Sequence, residues 1–334
     1  MSEIRVILFG VGRVGRDLAR LLQARPGFRV VAAYARNPRF EGKDLLGVQI
    51  VRKRDQALQV AADIAVIATT SFLSDLVEDI RAAVKAGLNV ICTGEEMLFP
   101  WIVDDDQARE LDNLAREQQV SVLGAGANPG FIFDALVLTA AGAAWDVESI
   151  HGRRVVNCSH FSRTILKRLG FGYSAAEFEA GAQAGKIYGH IGFPQSISLV
   201  AASIGVRINE IRKSLEPMIA EETYRMDHLT VERGQTAGFL QKAVGYVDGK
   251  LWYVAEFVGH ADPISAGFEP KDTIDIKGYA PIHLTVEPGF NPHTTSAAIL
   301  ANSLRRVKDA KPGLVTVADL PPAFPSVTRR ERLV

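Results

Sequence analysis

The fold of the amino-terminal half is decided by one stretch, Ile4-Arg5-Val6-Ile7-Leu8-Phe9-Gly10-Val11-Gly12-Arg13-Val14-Gly15. Its apolar beginning predicts a buried strand, and the residues that follow have the spacing of an amphipathic helix. In the turn, Gly10 allows a tight bend, Gly12 lets a ligand approach the backbone, and Gly15 permits close helix packing. We predict that this turn holds the pyrophosphate of a dinucleotide, with contacts from Gly10, Gly12, Arg13, Val14 and Gly15. The alternative is a glycine turn that binds nothing.

The first 140 residues alternate apolar runs with amphipathic stretches, which predicts an α/β domain with a Rossmann-type, doubly wound parallel sheet. Strands are predicted at Ile4 to Phe9, Phe28 to Tyr34, Ile64 to Ala68, Asn89 to Cys92 and Val120 to Leu123. Helices are predicted at Arg13 to Ala24, Phe72 to Ala86 and Asp104 to Gln118. Gly87 is placed to cap the second of these helices.

The pattern changes near Asp146, where longer alternating runs begin. Asp248-Gly249 joins two of them, Phe239 to Val247 and Leu251 to Val258, which predicts a β-hairpin. Residues 141–290 are therefore predicted to form an α+β substrate and dimerisation domain with a largely antiparallel sheet. Residues 291–334 are predicted to return to the first domain as a helix, Thr295 to Val307, and a Pro-rich tail.

Composition narrows the class of protein. The chain has 334 residues, 38 basic and 38 acidic side chains, which gives no sign of a nucleic-acid partner. No signal peptide is recognisable, and no apolar run approaches the roughly 18 residues of a membrane span, so we expect a cytoplasmic protein without a membrane partner. The two cysteines, Cys92 and Cys158, are far apart and are interpreted as structural thiols; no metal site is predicted.

The residues after the second strand bear on the choice of cofactor. NAD-binding proteins carry an acidic residue about 20 residues beyond the glycines, where it binds the ribose hydroxyls. This chain has Ala35-Arg36-Asn37 there. A carboxylate would repel a 2′-phosphate, whereas Arg36 presents a planar cation to it. NADP is therefore favoured over NAD, although Arg36 is alternatively a solvated surface cation.

Polar residues follow three of the predicted strands, at the edge where ligands of open α/β sheets bind. Thr69, Thr70, Ser71, Asn128 and Pro129 are candidate cofactor contacts. The pair Glu95-Glu96 is the candidate catalytic group, because neighbouring carboxylates in a cleft are suited to proton transfer. Alternatively, Ser71 and both glutamates only cap helices. The sequence does not decide between Glu95 and Glu96; Glu95 lies nearer the strand end.

Taken together, several motifs resemble the 2,4-diaminopentanoate dehydrogenases and their relatives, the native amine dehydrogenases. The resemblance rests on Gly42-Lys43-Asp44-Leu45, Thr93-Gly94-Glu95-Glu96, Asn128-Pro129-Gly130-Phe131, Gly189-His190-Ile191-Gly192-Phe193-Pro194-Gln195-Ser196, Pro312-Gly313-Leu314 and Asp319-Leu320-Pro321. It implies a dihydrodipicolinate reductase-like architecture and a homodimer.

The resemblance also implies a reaction, the reversible reductive amination of a small ketone or aldehyde with ammonia, in which the glutamate turn acts on the amine. Two segments depart from the family pattern. Members often carry Asp-Ile-Asp in place of Ala35-Arg36-Asn37, and tend to have a proline within Asn302-Ser303-Leu304-Arg305-Arg306.

Candidates for the substrate pocket are His190, His293, Phe131, Phe161 and Tyr173, all of which are alternatively structural. The basic residues Arg163, Lys167 and Arg168 either bind a carboxylate or form a solvated face. Two other functions are weighed against amine dehydrogenation. One is a carbonyl or imine reductase of the dihydrodipicolinate reductase or homoserine dehydrogenase type; the other is a non-enzymatic NADPH sensor.

Overall fold

A computed structural model describes residues 3–325 of the chain. Its strands are β1 (Ile4–Phe9), β2 (Phe28–Tyr34), β3 (Asp44–Leu45), β4 (Val48–Val51), β5 (Ile64–Ile67), β6 (Asn89–Cys92), β7 (Ser121–Gly124), β8 (Ser149–Asn157), β9 (Glu210–Ile219), β10 (Tyr224–Arg225), β11 (Thr230–Val231), β12 (Thr236–Val247), β13 (Lys250–His260), β14 (Asp272–Lys277), β15 (Ile282–Val286) and β16 (Gly313–Val315). Its α-helices are α1 (Arg13–Gln23), α2 (Arg54–Leu58), α3 (Leu73–Lys85), α4 (Asp105–Glu117), α5 (Ala135–Ala141), α6 (Arg163–Arg168), α7 (Ala175–Gln183), α8 (Phe193–Ser203) and α9 (Pro292–Lys308). Short 3₁₀ helices cover Pro38–Phe40, Glu95–Leu98 and Pro100–Ile102.

The first structural unit consists of the residues up to Ala135 together with those from Asn291 onward. Its eight-stranded sheet has the order β16-β7-β6-β5-β1-β2-β4-β3, and its strands run parallel except for the edge pair β3 and β4. This order reverses on either side of β1, as in a doubly wound fold. The predicted Rossmann-type sheet is confirmed; the sequence analysis missed β3, β4 and β16, which are only two to four residues long.

Apolar side chains cover both faces of this sheet. On one face, alternate residues of β1 such as Val6 and Leu8 pack in a core with α1 and α9. On the other face, Ile7 and Phe9 pack in a second core with α3 and α4. Helix α9 is tied to the sheet at its end, where the Ser121 hydroxyl donates to the Val307 carbonyl oxygen at 2.5 Å. The predicted tail extends past residue 325, and its last nine residues lie outside the described part of the chain.

The second unit spans Leu136–Phe290 and contains a six-stranded sheet with the order β15-β14-β8-β13-β12-β9. All neighbours pair antiparallel except β8 and β13. The predicted hairpin joins β12 to β13, and both turn residues, Asp248 (φ 49°) and Gly249 (φ 73°), have the positive φ of a tight hairpin turn. The largely antiparallel second domain is therefore confirmed. Within residues 3–325, every helix is too short or too polar to cross a membrane.

Candidate active site

The glycine turn between β1 and α1 has the shape of a phosphate cradle. Gly10 has a φ of +98°, and a Cβ atom there would lie 2.3 Å from the Ala68 carbonyl oxygen. A Cβ on Gly15 would lie 2.2 Å from the Gly10 carbonyl oxygen, whereas one on Gly12 would meet nothing within 4 Å. Gly12 is the residue before α1, and the first turn of this helix has neither a side-chain cap nor an acidic residue. The turn therefore leaves an open, electropositive helix terminus for an anion.

Side chains around the turn leave this opening polar. Val14 is half-buried against the α1 core, and exposed Arg13 forms an ion pair with Asp17, Nε to Oδ2, at 3.0 Å. His293 lies at the start of α9; burial and then the charge of Arg13 lower its pKa. His293, which the sequence analysis assigned to the substrate pocket, is thus close enough to Arg13 for that charge to act on its imidazole. Phe131, assigned to that pocket as well, packs half-buried against the core of the first unit.

A cluster of two arginines around one buried carboxylate follows the end of β2. Ala35 is buried, and Arg36 donates from Nη2 to Asp79 Oδ2 at 2.7 Å and to the Asp75 carbonyl oxygen at 3.2 Å. Arg54 donates from Nη1 to the other oxygen of Asp79, at 3.2 Å. The Asp79 side chain is only 2% exposed, while those of Arg36 and Arg54 are 52% and 30% exposed. We call this the Asp79 cluster.

Arg36, Arg54 and Asp79 together carry a net charge of +1 near the position where NAD-binding proteins carry an acid. Arg54 also pairs through Nε with the exposed Asp55 at 3.6 Å. A guanidinium group has five N–H donors, so donors remain for a further anion, above all on Arg36, whose side chain is 52% exposed. Asn37, predicted to contact the cofactor, accepts the Arg39 N–H at its Oδ1, at 3.1 Å. The sequence analysis missed Asp79 and Arg54. The only local signal for Arg54 is the basic run Arg52-Lys53-Arg54.

The segments after β5 and β6 meet at the carboxyl edge of the sheet. The Ser71 hydroxyl donates to Glu95 Oε1 at 2.8 Å. Thr70 donates to Asp75 within the start of α3, at 3.3 Å. Thr69 is exposed next to the glycine turn, since its Cγ2 lies 3.1 Å from the position of a Cβ on Gly10. The structure therefore brings the predicted residues 69–71 together with the glycine turn and with Glu95.

The two glutamates have different partners. Glu96 Oε2 accepts the backbone N–H of Leu73 at 2.6 Å, and Phe72, the residue before α3, provides no side-chain cap. Glu96 is thus the cap of α3. Glu95 Oε1 accepts the hydrogen bond from the Ser71 hydroxyl. Both carboxylates are half-buried.

Close backbone packing fixes the turn that carries them. A Cβ on Gly94 would lie 2.2 Å from a methyl group of Leu76, and one on Gly124 would lie 2.1 Å from the Met97 carbonyl oxygen. Side chains at these two positions would displace the turn. The segment Glu95–Leu98 therefore packs closely against β7 and α3, which fixes the backbone that carries both carboxylates.

The loop after β7 forms a third wall of this edge. Its Asn128-Pro129 peptide bond is cis, Gly130 has a φ of +118°, and Pro129 is buried. Asp134 Oδ2 accepts the Gly130 N–H at 2.9 Å. Asn128 Oδ1 is buried and accepts no hydrogen bond from the residues that the structure describes. Because a buried polar atom normally has a partner, this oxygen is a candidate acceptor for a bound molecule.

Three predicted pocket residues belong to the second unit. The backbone of His190 is hydrogen-bonded to the Gln241 side chain of β12. Gln241 accepts the His190 N–H at 2.7 Å and donates to the His190 carbonyl oxygen at 2.6 Å. Phe161 and Tyr173 lie at the margin of the apolar core around α6 and α7. The Lys167 ammonium lies 4.1 Å from the centre of the Tyr173 ring. Burial lowers the pKa of Lys167.

Both cysteines are buried, and burial raises the pKa of each thiol to about 12. Within residues 3–325, the histidine, cysteine and acidic side chains form no cluster suited to a metal ion.

Comparison with known proteins agrees with this architecture. The model of a family described as "Dihydrodipicolinate reductase, N-terminus" matches residues 4–125, and that of "2,4-diaminopentanoate dehydrogenase C-terminal domain" matches residues 131–331. The solved structure of amine dehydrogenase from Mycobacterium smegmatis superposes with a TM-score of 0.86 at 26% identity, covering 97% of this chain and 98% of that one. These matches and the sheet order define the class, a Rossmann-type dehydrogenase of dihydrodipicolinate reductase-like architecture.

Two curated relatives narrow the class. The chain is 31% identical to the 2,4-diaminopentanoate dehydrogenase of Acetoanaerobium sticklandii over 335 residues, which cover 96% of this chain and 94% of that protein. It is 23% identical to the amine dehydrogenase of Streptomyces virginiae over 360 residues, 98% of this chain and 99% of that protein. The chain belongs to the 2,4-diaminopentanoate dehydrogenase family.

Proposed function

We propose that the protein is an NADPH-dependent amine dehydrogenase that converts a small aliphatic ketone or aldehyde and ammonia reversibly into an amine. The names of its relatives support an amine as the substrate class. One observation carries the proposal for this chain. Glu95 stands at the carboxyl edge of the sheet, bonded to Ser71, while its neighbour Glu96 is used as a helix cap.

The residues around the glycine turn fit a dinucleotide. Gly12 and the uncapped start of α1 would hold the pyrophosphate, with Arg13 nearby. Thr69 and the buried Oδ1 of Asn128 would bind the nicotinamide end, where an amide acceptor suits a carboxamide NH₂. When bound, the reduced nicotinamide supplies a hydride.

The Asp79 cluster supports NADPH over NADH. A 2′-phosphate carries about two negative charges, and Arg36 and Arg54 offer planar N–H donors that suit phosphate oxygens. Asp79 holds both guanidinium groups in place through its two carboxylate oxygens. The small side chain of Ala35 leaves space beside the ribose.

Glu95 would act on the nitrogen of the substrate. Ammonium must lose a proton before the resulting ammonia can attack a carbonyl carbon, and the Glu95 carboxylate would accept that proton. Protonated Glu95 would then return the proton to the hydroxyl group of the carbinolamine, which leaves as water. The carboxylate regenerated in this step would stabilise the iminium cation. The hydrogen bond from the Ser71 hydroxyl orients the Glu95 carboxylate.

The decisive experiment follows consumption of NADPH with a panel of small ketones and aldehydes, with and without ammonium. The proposal predicts oxidation that depends on ammonium. Oxidation that is independent of ammonium would identify a simple carbonyl reductase, and tight NADPH binding without turnover would identify a sensor; either result contradicts the proposal.

Cofactor preference is tested separately by binding. NADPH and NADH fluorescence titrations are compared for the wild type, for Arg36→Ala and Arg54→Gln, and for Arg29→Gln, an exposed arginine of β2 that serves as the control. We expect each cluster variant to lose about tenfold in NADPH affinity, about 1.4 kcal/mol, with NADH affinity unchanged. Unchanged NADPH affinity in both cluster variants would show that the cluster does not bind the 2′-phosphate.

We also propose that the protein forms a homodimer through the second unit. Along β12, Phe239, Gln241 and Ala243 are buried, whereas the alternating residues Leu240, Lys242 and Val244 stay half-exposed on the other face of the sheet. Lys242 is ion-paired with Glu256 at 3.1 Å, so this face combines apolar side chains with a compensated charge, which suits an interface. Light scattering at micromolar concentration should give twice the chain mass of 36.3 kDa, and a monomer would contradict the proposal.

A further inference from the structure

A cleft lies at the amino edge of the first unit's sheet, opposite the edge that carries Glu95. Its floor includes Gly27, which precedes β2, and Leu314 of β16. The end of α9 reaches the same edge, because its Val307 carbonyl oxygen accepts a hydrogen bond from Ser121 at the start of β7. The cleft has a volume of about 1090 Å³, larger than a single phosphate ion needs.

The charged side chains around this cleft are mostly basic. Its lining contains Arg116, Arg305, Arg306 and Lys311 against Asp309 and Asp319, a net charge of +2. Asp319 is occupied by Thr316, whose N–H and hydroxyl each donate to its Oδ2 at 2.7 Å. These bonds hold Asp319 in place without removing its charge, and the Arg116 guanidinium is already paired with Asp112 at 2.8 Å. Among residues 3–325, the cations of the cleft without a carboxylate partner are Arg305, Arg306 and Lys311.

Two of these arginines are half-buried without a carboxylate partner among residues 3–325. The Arg305 guanidinium carbon lies 4.9 Å from the centre of the Phe28 ring. That of Arg306 lies 4.2 Å from the Phe324 ring, and its Nη1 donates to the Asn302 carbonyl oxygen. Its Nε is buried and has no acceptor in the described part of the chain. Burial lowers the pKa of Arg306. The free-energy cost of partly burying these two guanidinium charges is thus offset by aromatic rings and a backbone carbonyl oxygen, but not by an anion.

A structural explanation covers only part of this arrangement. Basic residues in the last turn of a helix complement its dipole, and α9 has three of them. That role is filled by Arg306 Nη1 at the Asn302 carbonyl oxygen and by Lys308, which forms an ion pair with Asp63 at 2.9 Å. Arg305 belongs to the same last turn, whereas Lys311 lies beyond the helix. The helix dipole does not explain why these two cations line a cleft with apolar walls.

We propose that this cleft binds a multiply charged organic anion that carries phosphate groups. Arginine forks bind phosphate oxygens through paired hydrogen bonds, and the apolar walls at Leu320 and Phe324 suit the organic part. The ligand would contact α9, β16 and the segment after β16 at once. This site is separate from the proposed catalytic edge, so it does not depend on the proposed function.

Calorimetric titration with inorganic pyrophosphate tests the proposal, using protein saturated with reduced nicotinamide cofactor so that the glycine turn is occupied. Ionic strength is matched with KCl, and citrate serves as a polyanion without phosphate. The variants are Arg305→Gln, Arg306→Gln and Lys311→Gln, with Arg29→Gln as a control at the same edge but outside the cleft. Because Lys311 is exposed, its variant preserves the packing even if an arginine variant unfolds.

We expect one pyrophosphate per chain in the wild type and in Arg29→Gln, with citrate binding more weakly. The affinity should fall about tenfold in each arginine variant and several-fold in Lys311→Gln, as for the loss of one charge-assisted hydrogen bond. Absence of pyrophosphate binding at millimolar concentration would overturn the proposal. Equal affinities in the three cleft variants and the control would overturn it as well. Tighter binding of citrate than of pyrophosphate would also contradict the proposal, because it would show that carboxylate and not phosphate is the recognised group.

Discussion

Glu95 and Glu96 offer a sharp test, because two identical side chains adjacent in the chain are assigned different roles. Glu96→Ala removes the acceptor of the Leu73 N–H at the start of α3. Glu95→Ala removes the carboxylate that is bonded to Ser71. The account predicts a loss of stability from the first change and a loss of catalysis from the second.

The magnitudes follow from burial and hydrogen bonding. Leu73 is only 1% exposed, so water does not readily replace the lost acceptor. Loss of a helix cap costs about 0.5–2 kcal/mol, and loss of a charge at a helix amino terminus costs about 0.3–1 kcal/mol. We therefore expect Glu96→Ala to lower the free energy of unfolding by about 1–3 kcal/mol. Loss of a general acid–base group lowers a rate by roughly 10²–10⁴-fold, which is the effect expected of Glu95→Ala on kcat.

Thermal unfolding and steady-state reductive amination are measured on both variants, with kinetics at a temperature where both are folded. Glu96→Ala should lower Tm by roughly 2–8 °C and keep kcat within about threefold of the wild type. Glu95→Ala and the isosteric Glu95→Gln should keep Tm within about 2 °C and lose activity. The reverse pattern, or similar losses of activity in both alanine variants, would refute the division of roles.

Three further predictions concern the first unit and the cysteines. Gly12→Ala should keep the fold, since a Cβ there meets nothing within 4 Å, but should weaken NADPH binding in a fluorescence titration. Gly15→Ala should weaken NADPH binding and also lower Tm, because its Cβ would lie 2.2 Å from a backbone oxygen. Burial acts to raise the pKa of Asp63, but hydrogen bonds from a backbone N–H and from two cations outweigh it and hold the pKa at about 2, below its ordinary 3.8. Asp63→Asn should therefore lower the free energy of unfolding by about 2 kcal/mol at pH 7, a difference that denaturant titrations should find fading as the pH falls from about 4 through about 2. Cys92 and Cys158 should react with a thiol reagent at pH 8 only on unfolding, because burial raises both pKa values to about 12; rapid labelling of the folded chain would contradict this.

The sheet that carries the site could be predicted because its signals are local. The strands β1, β2 and β6 have the predicted bounds, since each is an apolar run that ends at a turn residue. β16 could not be predicted, because three residues have no periodicity and this strand exists only through its pairing with β7. The hairpin of β12 and β13 was predictable from two turn residues.

The chemistry of the site was less accessible for the same physical reason. Sequence places Glu95 and Glu96 after a strand, but only the position of the Leu73 N–H separates a cap from a candidate base. Likewise, Arg36 and Arg54 are 43 and 25 residues from Asp79 along the chain, and nothing local links them.

Incorporation of nitrogen tests the central claim most directly. The protein is incubated with NADPH, a small aliphatic ketone or aldehyde and ¹⁵N-ammonium, and the product is identified by mass spectrometry. The account predicts an amine that carries ¹⁵N, formed in proportion to the NADPH consumed and lost in Glu95→Gln. An alcohol formed at the same rate with and without ammonium would contradict it.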